Sequence, residues 1–397
     1  VKTLLVVKSG WPLGFRLPAY RAFWARGWRV AVVDQVMNQS LRFADIPIVG
    51  NVADSTALAE MVLQRVGRPD GILTFNDSAL VCAAHLAAQF GLPFISPPVA
   101  ARAVSKSEQR RILAAAGLRV PAWRPVQTAR EAAAAVAEWG SAVIKPVDRA
   151  AGAGVRLVHT PDEAETAFTE AQRESWTSQV LAEAYLDGPE VSVETVVLAG
   201  QHRVVTITDK LTTHGPHFIE LGHSVPSQLR REEFNRVCET AVAACHAMGL
   251  TYGACHTEVK LTPQGPVVVE INPRLAGDCI VDLIDLALGI NLYDIVGRLA
   301  MGDAVLPEDL MPRVQRGAAI RFYLSPGGVL NKVVCHLPPV APQWLVELSV
   351  TVEAGMILPQ PISNAGRIAY AVAIGETGSE AAQRATRAIQ SLSIAVE

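Results

Sequence analysis

The residues with the clearest chemical potential are Glu258, Glu270, Asn272 and Arg274, all within YGACHTEVKLTPQGPVVVEINPRLAGD (252–278). Polar and apolar residues alternate with a period of two on both sides of TPQGP, which predicts two β-strands joined by a five-residue turn. If Leu261 pairs with Val267, Glu258 stands opposite Glu270 and His256 opposite Asn272. Facing carboxylates repel and weaken a hairpin unless a cation lies between them. Hard divalent ions such as magnesium take carboxylate and amide oxygens, which is what Glu258, Glu270 and Asn272 offer. Arg274 adds a planar fork suited to phosphate or carboxylate. A register slip of one residue would put the glutamates on the wrong face.

Other candidate groups are weaker alone. The small-residue loop Ala150–Val155 can bring backbone N–H groups close to an anion, or can be an ordinary turn. Lys145 supplies a cation beside it, or is a solvated strand end. Paired carboxylates also serve retaining glycosidases, but that chemistry needs neither the asparagine and arginine nor an upstream lysine and loop. His214 and His217 have H-x-x-H spacing without the companions of a zinc site. Cys255 and His256 point to opposite faces of a strand, which reads Cys255 as core. No G-x-S-x-G elbow or phosphate-binding G-x-x-x-x-G-K occurs, and the loop KSGWPLG (8–14) lacks the dinucleotide fingerprint.

The elements that must position these groups follow from length and pattern. A chain of 397 residues, half of them hydrophobic, should form two to four packed subdomains. A net charge of −3 without a basic cluster argues against a nucleic-acid surface. No apolar run is long enough for a membrane span. Six scattered cysteines read as buried thiols in a reducing cytoplasm. Strands at 3–7, 30–34, 46–49 and 71–75 alternate with helices at 18–27, 55–66 and 79–91, which predicts a parallel α/β sheet with a ligand crevice at the strand C-termini. Pro93–Ile95 reads as a further short strand, and PFISPPVA as a boundary. Helices at 105–117, 129–139 and 162–174 and strands at 142–145, 180–184 and 190–198 then form a small α+β lobe. The polar segment 209–228 reads as one long loop, which compact domains rarely contain without a use. A helix at 231–249 leads into the hairpin, and Asp278 is a plausible N-cap for a helix at 279–289. The remainder, 318–397, carries short strands and a closing helix at 379–392.

A lysine with a small-residue loop, then an acidic strand, then Glu…Glu-x-Asn-Pro-Arg, is more specific than any one part. In this order the chain resembles the ATP-grasp superfamily of carboxylate–amine ligases, along essentially its whole length. IKPVDRAAGAGV is similar to that family's phosphate loop, LAEAYLDGPEVSVETVV to its nucleotide hinge, and GRIAYAVAIGETGSEAAQRA to a C-terminal subdomain. LGHSVPSQL and EINPRLAGD look most like the L-amino-acid ligases that make dipeptides. The resemblance implies an N-terminal parallel α/β domain (1–100), a linker helix and small lobe (101–200), a large antiparallel-sheet lobe with the metal site (201–310) and a C-terminal α+β subdomain (311–397).

It also implies roles. Lys106 and Lys145 would hold ATP phosphates, with Gly152, Gly154 and Val155 in the closing loop. Glu183, Ala184 and Leu186 would meet the adenine, and Glu190 the ribose. Glu258, Glu270 and Asn272 would ligate two magnesium ions, with manganese as a substitute. Arg274, His223 and Lys210 would serve catalysis, while His217, Ser224, Gly277 and Asp278 would lie toward the amino-acid substrates. Alanines at 150, 151 and 153 depart from a serine that the loop often carries, leaving only backbone contacts there. The implied reaction joins a carboxylate to the amine of an amino acid through an acyl phosphate, with segment 209–228 as a lid. Another acceptor (carrier-bound, a small-metabolite amine, or a carboxylase-type reaction) and a non-catalytic nucleotide module are the alternatives. The expected partners are small molecules rather than nucleic acid or membrane, in a cytoplasmic protein that could pair as a homodimer.

Overall fold

The computed structural model describes residues 1–10 and 15–397, so most of the loop 8–14 lies outside the described residues. Strands β1 (Thr3–Val7), β2 (Arg29–Asp34), β3 (Ile46–Val49) and β4 (Gly71–Leu73) form a parallel sheet in the order β3-β2-β1-β4. β1 is buried along its whole length, as the apolar run TLLVV requires of a strand covered on both faces. The chain steps outward from β1 to β3 and then crosses to β4 on the other side of β1. A crevice therefore opens between the C-terminal ends of β1 and β4.

The small lobe holds β5 (Trp123–Val126), β6 (Ala142–Pro146), β7 (Arg156–Val158) and β8 (Val180–Ala184), in the order β5-β8-β6-β7. Helices Ala129–Trp139 and Ala164–Glu174 cover one face, around a separate core that includes Val136, Ile144, Phe168 and Ala182. The large sheet has eight strands. They are β9 (Glu190–Leu198), β10 (Gln201–Thr212), β11 (Glu220–Val225), β12 (Ala254–Thr262), β13 (Gly265–Asn272), β14 (Gly317–Leu324), β16 (Leu345–Val350) and β17 (Arg367–Gly375). Their order is β13-β12-β9-β10-β11-β14-β17-β16, so strands from the C-terminal region extend the hairpin's own sheet, and β9, expected in the small lobe, lies within it between β12 and β10. β15 (Leu330–Cys335) pairs with β18 (Leu392–Val396) in a separate ribbon. One apolar cluster runs from Leu4 and Phe23 through Ile284 and Tyr293 to Ile320 and Tyr370, fastening the parallel domain to the large sheet.

Several expectations need correction. Pro93–Ile95 is not a strand. The segment is a connection into a helix, Pro97–Ala103, whose first turn accommodates prolines because its N–H groups need no helical partner. Segment 209–228 is not one loop: β10 runs to Thr212 and β11 starts at Glu220, leaving only residues 213–219 between them. Polar side chains disguise β11 because they face an internal cavity rather than a core. The hairpin turn is tighter than TPQGP suggests, since Thr262 already pairs with Gly265 and Leu261 with Pro266. Glu258 nevertheless faces Glu270, and His256 faces Asn272, because a bulge at Val269 shifts the register by one residue.

β13 is an edge strand, and its outer side is occupied by the side chain of Gln109. That amide donates to Ile271 O at 2.9 Å and accepts from Ile271 N at 3.0 Å, acting as a single-residue strand.

Candidate nucleotide and metal site

The three sheets meet around a cavity of about 350 Å3. From the small lobe, β6 delivers Lys145 and β8 delivers Glu183. Glu183 accepts from Lys145 Nζ at 2.7 Å and from Arg110 Nε at 2.8 Å. All three side chains are buried, and Arg110 reaches them from the helix Lys106–Ala115, whose N-cap is Ser105. Burial alone would raise the Glu183 carboxyl, but Arg110 and then Lys145 outweigh it and hold the group at about 2. The Lys145 ammonium is lowered, chiefly by burial, with Arg110 and Lys106 adding to the effect. Both carboxylate oxygens of Glu183 are thus engaged by protein cations.

The loop after β6 reverses through Ala151, Gly152 and Gly154, with φ of 59°, 71° and 68°. At Gly152 a Cβ would sit 2.8 Å from the carbonyl oxygen of Phe218, so glycine is required there by space as well as by φ.

The large sheet contributes the opposite charge. Lys210 Nζ lies 2.7 Å from Glu190, 2.9 Å from Glu220 and 2.9 Å from Glu258. Burial would depress this lysine, yet the three carboxylates raise it well above its usual range. Glu258 also accepts from His256, which bonds Glu194 at 2.8 Å on its other side. Those two acids outweigh burial and lift the imidazole to about 10, so it stays protonated at neutral pH. Glu270 pairs with Lys106 at 2.9 Å. Arg274 enters the cavity with its fork already held by Asp77, through Nε at 2.7 Å and Nη2 at 2.5 Å.

Beyond the hairpin, Asp278 accepts from both terminal nitrogens of Arg367, at 2.7 and 2.8 Å. This settles the helix-cap reading of Asp278 against it. The helix is Ile280–Leu288, its N-cap position is Cys279 with φ 68°, and no side chain caps it. Burial would raise Asp278, but Arg367 overrides it and keeps the carboxyl well below its usual range. His223, 1% exposed, lies 3.6 Å from Asp278, and neither ring nitrogen has a hydrogen-bond partner among the described residues.

Of the residues singled out in the sequence, Lys106, Lys145, Gly152, Val155, Glu183, Ala184, Leu186, Glu190, Lys210, His223, Glu258, Glu270, Asn272, Arg274, Gly277 and Asp278 line this cavity. Gly154, His217 and Ser224 do not. Gly154 packs on Pro146 and Glu174, and His217 lies against the Val155 carbonyl. Ser224 accepts from Arg321 on the far face of the sheet, since neighbours on a strand point in opposite directions.

Residues to which the sequence reading gave no role in the site are Arg16, Asp77, Arg110, His256 and Glu220. Arg110 sits among ordinary helix-surface residues in SEQRR, and nothing local marks its burial. Glu220 and His223 share a face, despite a spacing of three, because a register shift falls between Leu211 and Thr212. His256 carried a signal, its alternation with Glu258.

Comparison with known proteins sets this geometry in context. A family model described as ATP-grasp domain matches residues 140–282, and one described as L-amino acid ligase C-terminal domain 2 matches 320–397. Carnosine synthase 1 of Mus musculus is 29% identical over 303 residues, covering 70% of this chain and 35% of that protein. Alanine–anticapsin ligase of Bacillus subtilis is 27% identical over 268 residues, covering 61% of this chain and 56% of the relative. The chain thus spans about a third of the first and just over half of the second. The crystal structure of an L-amino acid ligase from Bacillus licheniformis superposes with a TM-score of 0.83 at 22% identity, covering 100% of this chain and 99% of that one, a likeness of fold.

Proposed function

For a chain that carries an ATP-grasp domain and an L-amino acid ligase C-terminal domain, we propose an ATP-dependent ligase that joins an amino-acid carboxylate to the amine of a second amino acid. The observation that carries this reading is the meeting, in one cavity, of a cationic cluster from the small lobe and an acidic cluster from the hairpin sheet. Cations suit the phosphates of a nucleotide, and an excess of carboxylates suits the divalent ion that accompanies it.

In this reading Lys106, Lys145 and the backbone of 150–155 hold the phosphates, with Gly154 shaping that loop from behind. The carboxylate of Glu183 is fully engaged by Arg110 and Lys145. Contact with the adenine therefore falls to the main chain around Ala184 and Leu186, and Glu190 takes the ribose. Glu258, Glu270 and Asn272 form an all-oxygen donor set on one face of the hairpin, which fits magnesium, two ions by the family's pattern, with manganese as a substitute. Bound there, the metal would supply neutralisation of charge on the transferring phosphoryl group. Lys106 and Lys210, which pair with Glu270 and Glu258, keep those carboxylates oriented.

A carboxylate oxygen of the first substrate attacks the γ-phosphorus and ADP leaves, giving an acyl phosphate. The amine of the second substrate attacks the acyl carbon and inorganic phosphate leaves. Arg274, anchored by Asp77, stabilises the developing negative charge. His223, buried and without a hydrogen-bond partner on either ring nitrogen among the described residues, would take the proton the amine must lose. Gly277 and Asp278 border the amino-acid end, the latter presented by Arg367. The organisation expected from the sequence (1–100, 101–200, 201–310 and 311–397) corresponds to a base domain, a closing lobe, a metal-bearing lobe and a C-terminal cover, except that β9 belongs to the metal-bearing sheet and that β14, β16 and β17 extend it. Six unpaired cysteines are compatible with a cytoplasmic setting, and a homodimer with the proposed chemistry. No helix among the described residues is long and apolar enough to cross a membrane.

The test is phosphate release from ATP and magnesium across paired amino acids, with mass spectrometry of the products. The expected outcome is phosphate and a new amide in equal amounts for at least one pair. ATP binding without phosphate release for any pair would favour a nucleotide-binding module instead. Phosphate release only with a carrier-bound or non-amino-acid amine would move the acceptor, not the reaction class.

A further inference from the structure

Arg16 follows β1, at the crevice between the ends of β1 and β4, and lines the same cavity. The side chain is buried, with the residue 8% exposed, and its Nε has no hydrogen-bond partner among the described residues. Its guanidinium carbon lies 4.9 Å from the ring centre of Phe75, which meets Tyr293 edge-on at 6.1 Å. Every other arginine lining the cavity is tied to a carboxylate: Arg110 to Glu183, Arg149 to Glu174 and Arg274 to Asp77. Arg16 has no such partner within 4.0 Å among the described residues. The Asp282 carboxyl feels Arg16 but is bonded by Tyr293; a buried guanidinium with no carboxylate in contact is costly, and its planar fork matches one.

We propose that Arg16 binds the carboxylate of the amine-bearing substrate, so that the acceptor is a free amino acid and not one whose carboxyl is masked on a carrier or as an amide. This rests on the ligase reading above. The carboxylate that reacts must lie at the metal hairpin, where Arg274 and the lysines already serve it. Arg16 comes from the end of the parallel sheet, beside Phe75 and Asn76, and not from the hairpin, which assigns it to a second carboxylate, one that does not react. The aromatic surface of Phe75 flattens that wall and keeps water from the pair, which strengthens it. Held there, the acceptor presents its amine toward the acyl phosphate.

The experiment compares wild type, Arg16→Met and Arg16→Lys in two assays on the full chain. In the first, hydroxylamine replaces the amine and traps the acyl phosphate as a hydroxamate, which reads activation alone. In the second, amide formation is measured against concentration of the acceptor amino acid and of its carboxamide. Wild type should prefer the free acid. Arg16→Met should raise the KM for the free acid roughly ten- to a hundredfold, the loss expected for a charge-assisted pair, and abolish the preference over the carboxamide. Hydroxamate formation should stay within about twofold of wild type, and Arg16→Lys should recover part of the preference. An unchanged preference in both variants, or hydroxamate formation that falls in step with amide formation, would overturn the assignment. Wild-type protein that yields no hydroxamate from any amino acid would instead count against the ligase reading itself.

Discussion

Two lysines are buried in the walls of one cavity, and their surroundings are opposite. Lys145 shares a single carboxylate, Glu183, with Arg110, so its cluster has an excess of positive charge. Lys210 sits among Glu190, Glu220 and Glu258, so its cluster has an excess of negative charge. Burial pushes both ammonium groups down; at Lys145, where Arg110 and Lys106 oppose the pull of Glu183, burial prevails, whereas at Lys210 three carboxylates overcome it. The difference teaches how a fold prepares for a ligand of mixed charge. Each wall is left unbalanced in the sense that a nucleotide with its metal would correct: anionic phosphates on one side, cations on the other.

That contrast can be broken at several points. The largest effect is expected at the acidic wall. Glu270→Gln should lower ADP release by at least about a hundredfold, comparable to losing a main electrostatic contact to a transition state. The melting temperature should stay close to wild type, and near-normal turnover would remove the metal assignment.

At the cationic wall, Glu183→Gln should cost about 3–5 kcal/mol of stability, because Arg110 and Lys145 would then be buried without a counter-charge. Glu220→Gln removes one of three acids and should cost far less. Denaturant melts that showed equal losses would end the asymmetry. The same carboxyl sets an acid limb. Its folded-state value of about 2 lies below its ordinary value of 4.5, so its contribution is present above pH 4.5 and is lost as pH falls toward 2. Glu183→Gln should flatten that limb in a pH series of melting temperatures.

Lys210→Met tests whether the lysine stands where cation charge is wanted. The variant should melt lower without ligand, and magnesium chloride alone should raise its melting temperature more than that of wild type. The absence of any extra response to magnesium would argue that the acids serve only the lysine. The smallest effect is expected from Asp278→Ala, which should change preference among amino-acid substrates while leaving nucleotide affinity within about threefold of wild type. A loss of nucleotide affinity without any change in preference would sink the substrate role.

Much of this was legible in the sequence where the pattern is local. The apolar run of β1, the cap at Ser105 and the alternation around Glu258 are each set by residues a few positions apart. The hairpin's paired glutamates followed from the two-residue period and simple repulsion. What escaped depends on contacts between distant segments. Arg110 looks like its solvent-facing neighbour Arg111 until Glu183 arrives from β8. Asp278 looks like a helix cap until Arg367 arrives from β17. β11 was hidden because Glu220 and His223 are polar yet face inward, so alternation between core and solvent, the usual strand signature, was missing. Ser224 was grouped with His223 by proximity, and the strand's own geometry separates them.

The bulge at Val269 makes the candidate metal site a matter of parity. The two-residue turn would set Glu258 against Val269 and put the carboxylate of Glu270 behind the sheet; one additional residue restores the phase. The carbonyl of Val269 accepts from Arg110, the arginine that also holds Glu183, so the phase correction is tied to the cationic wall. Deleting Val269 would leave Glu270 directly after Val268 and still opposite Glu258, now without a bulge, but would remove the carbonyl that Arg110 holds. One uncharged residue thus joins the phase of the hairpin to the anchoring of Glu183 across the cavity.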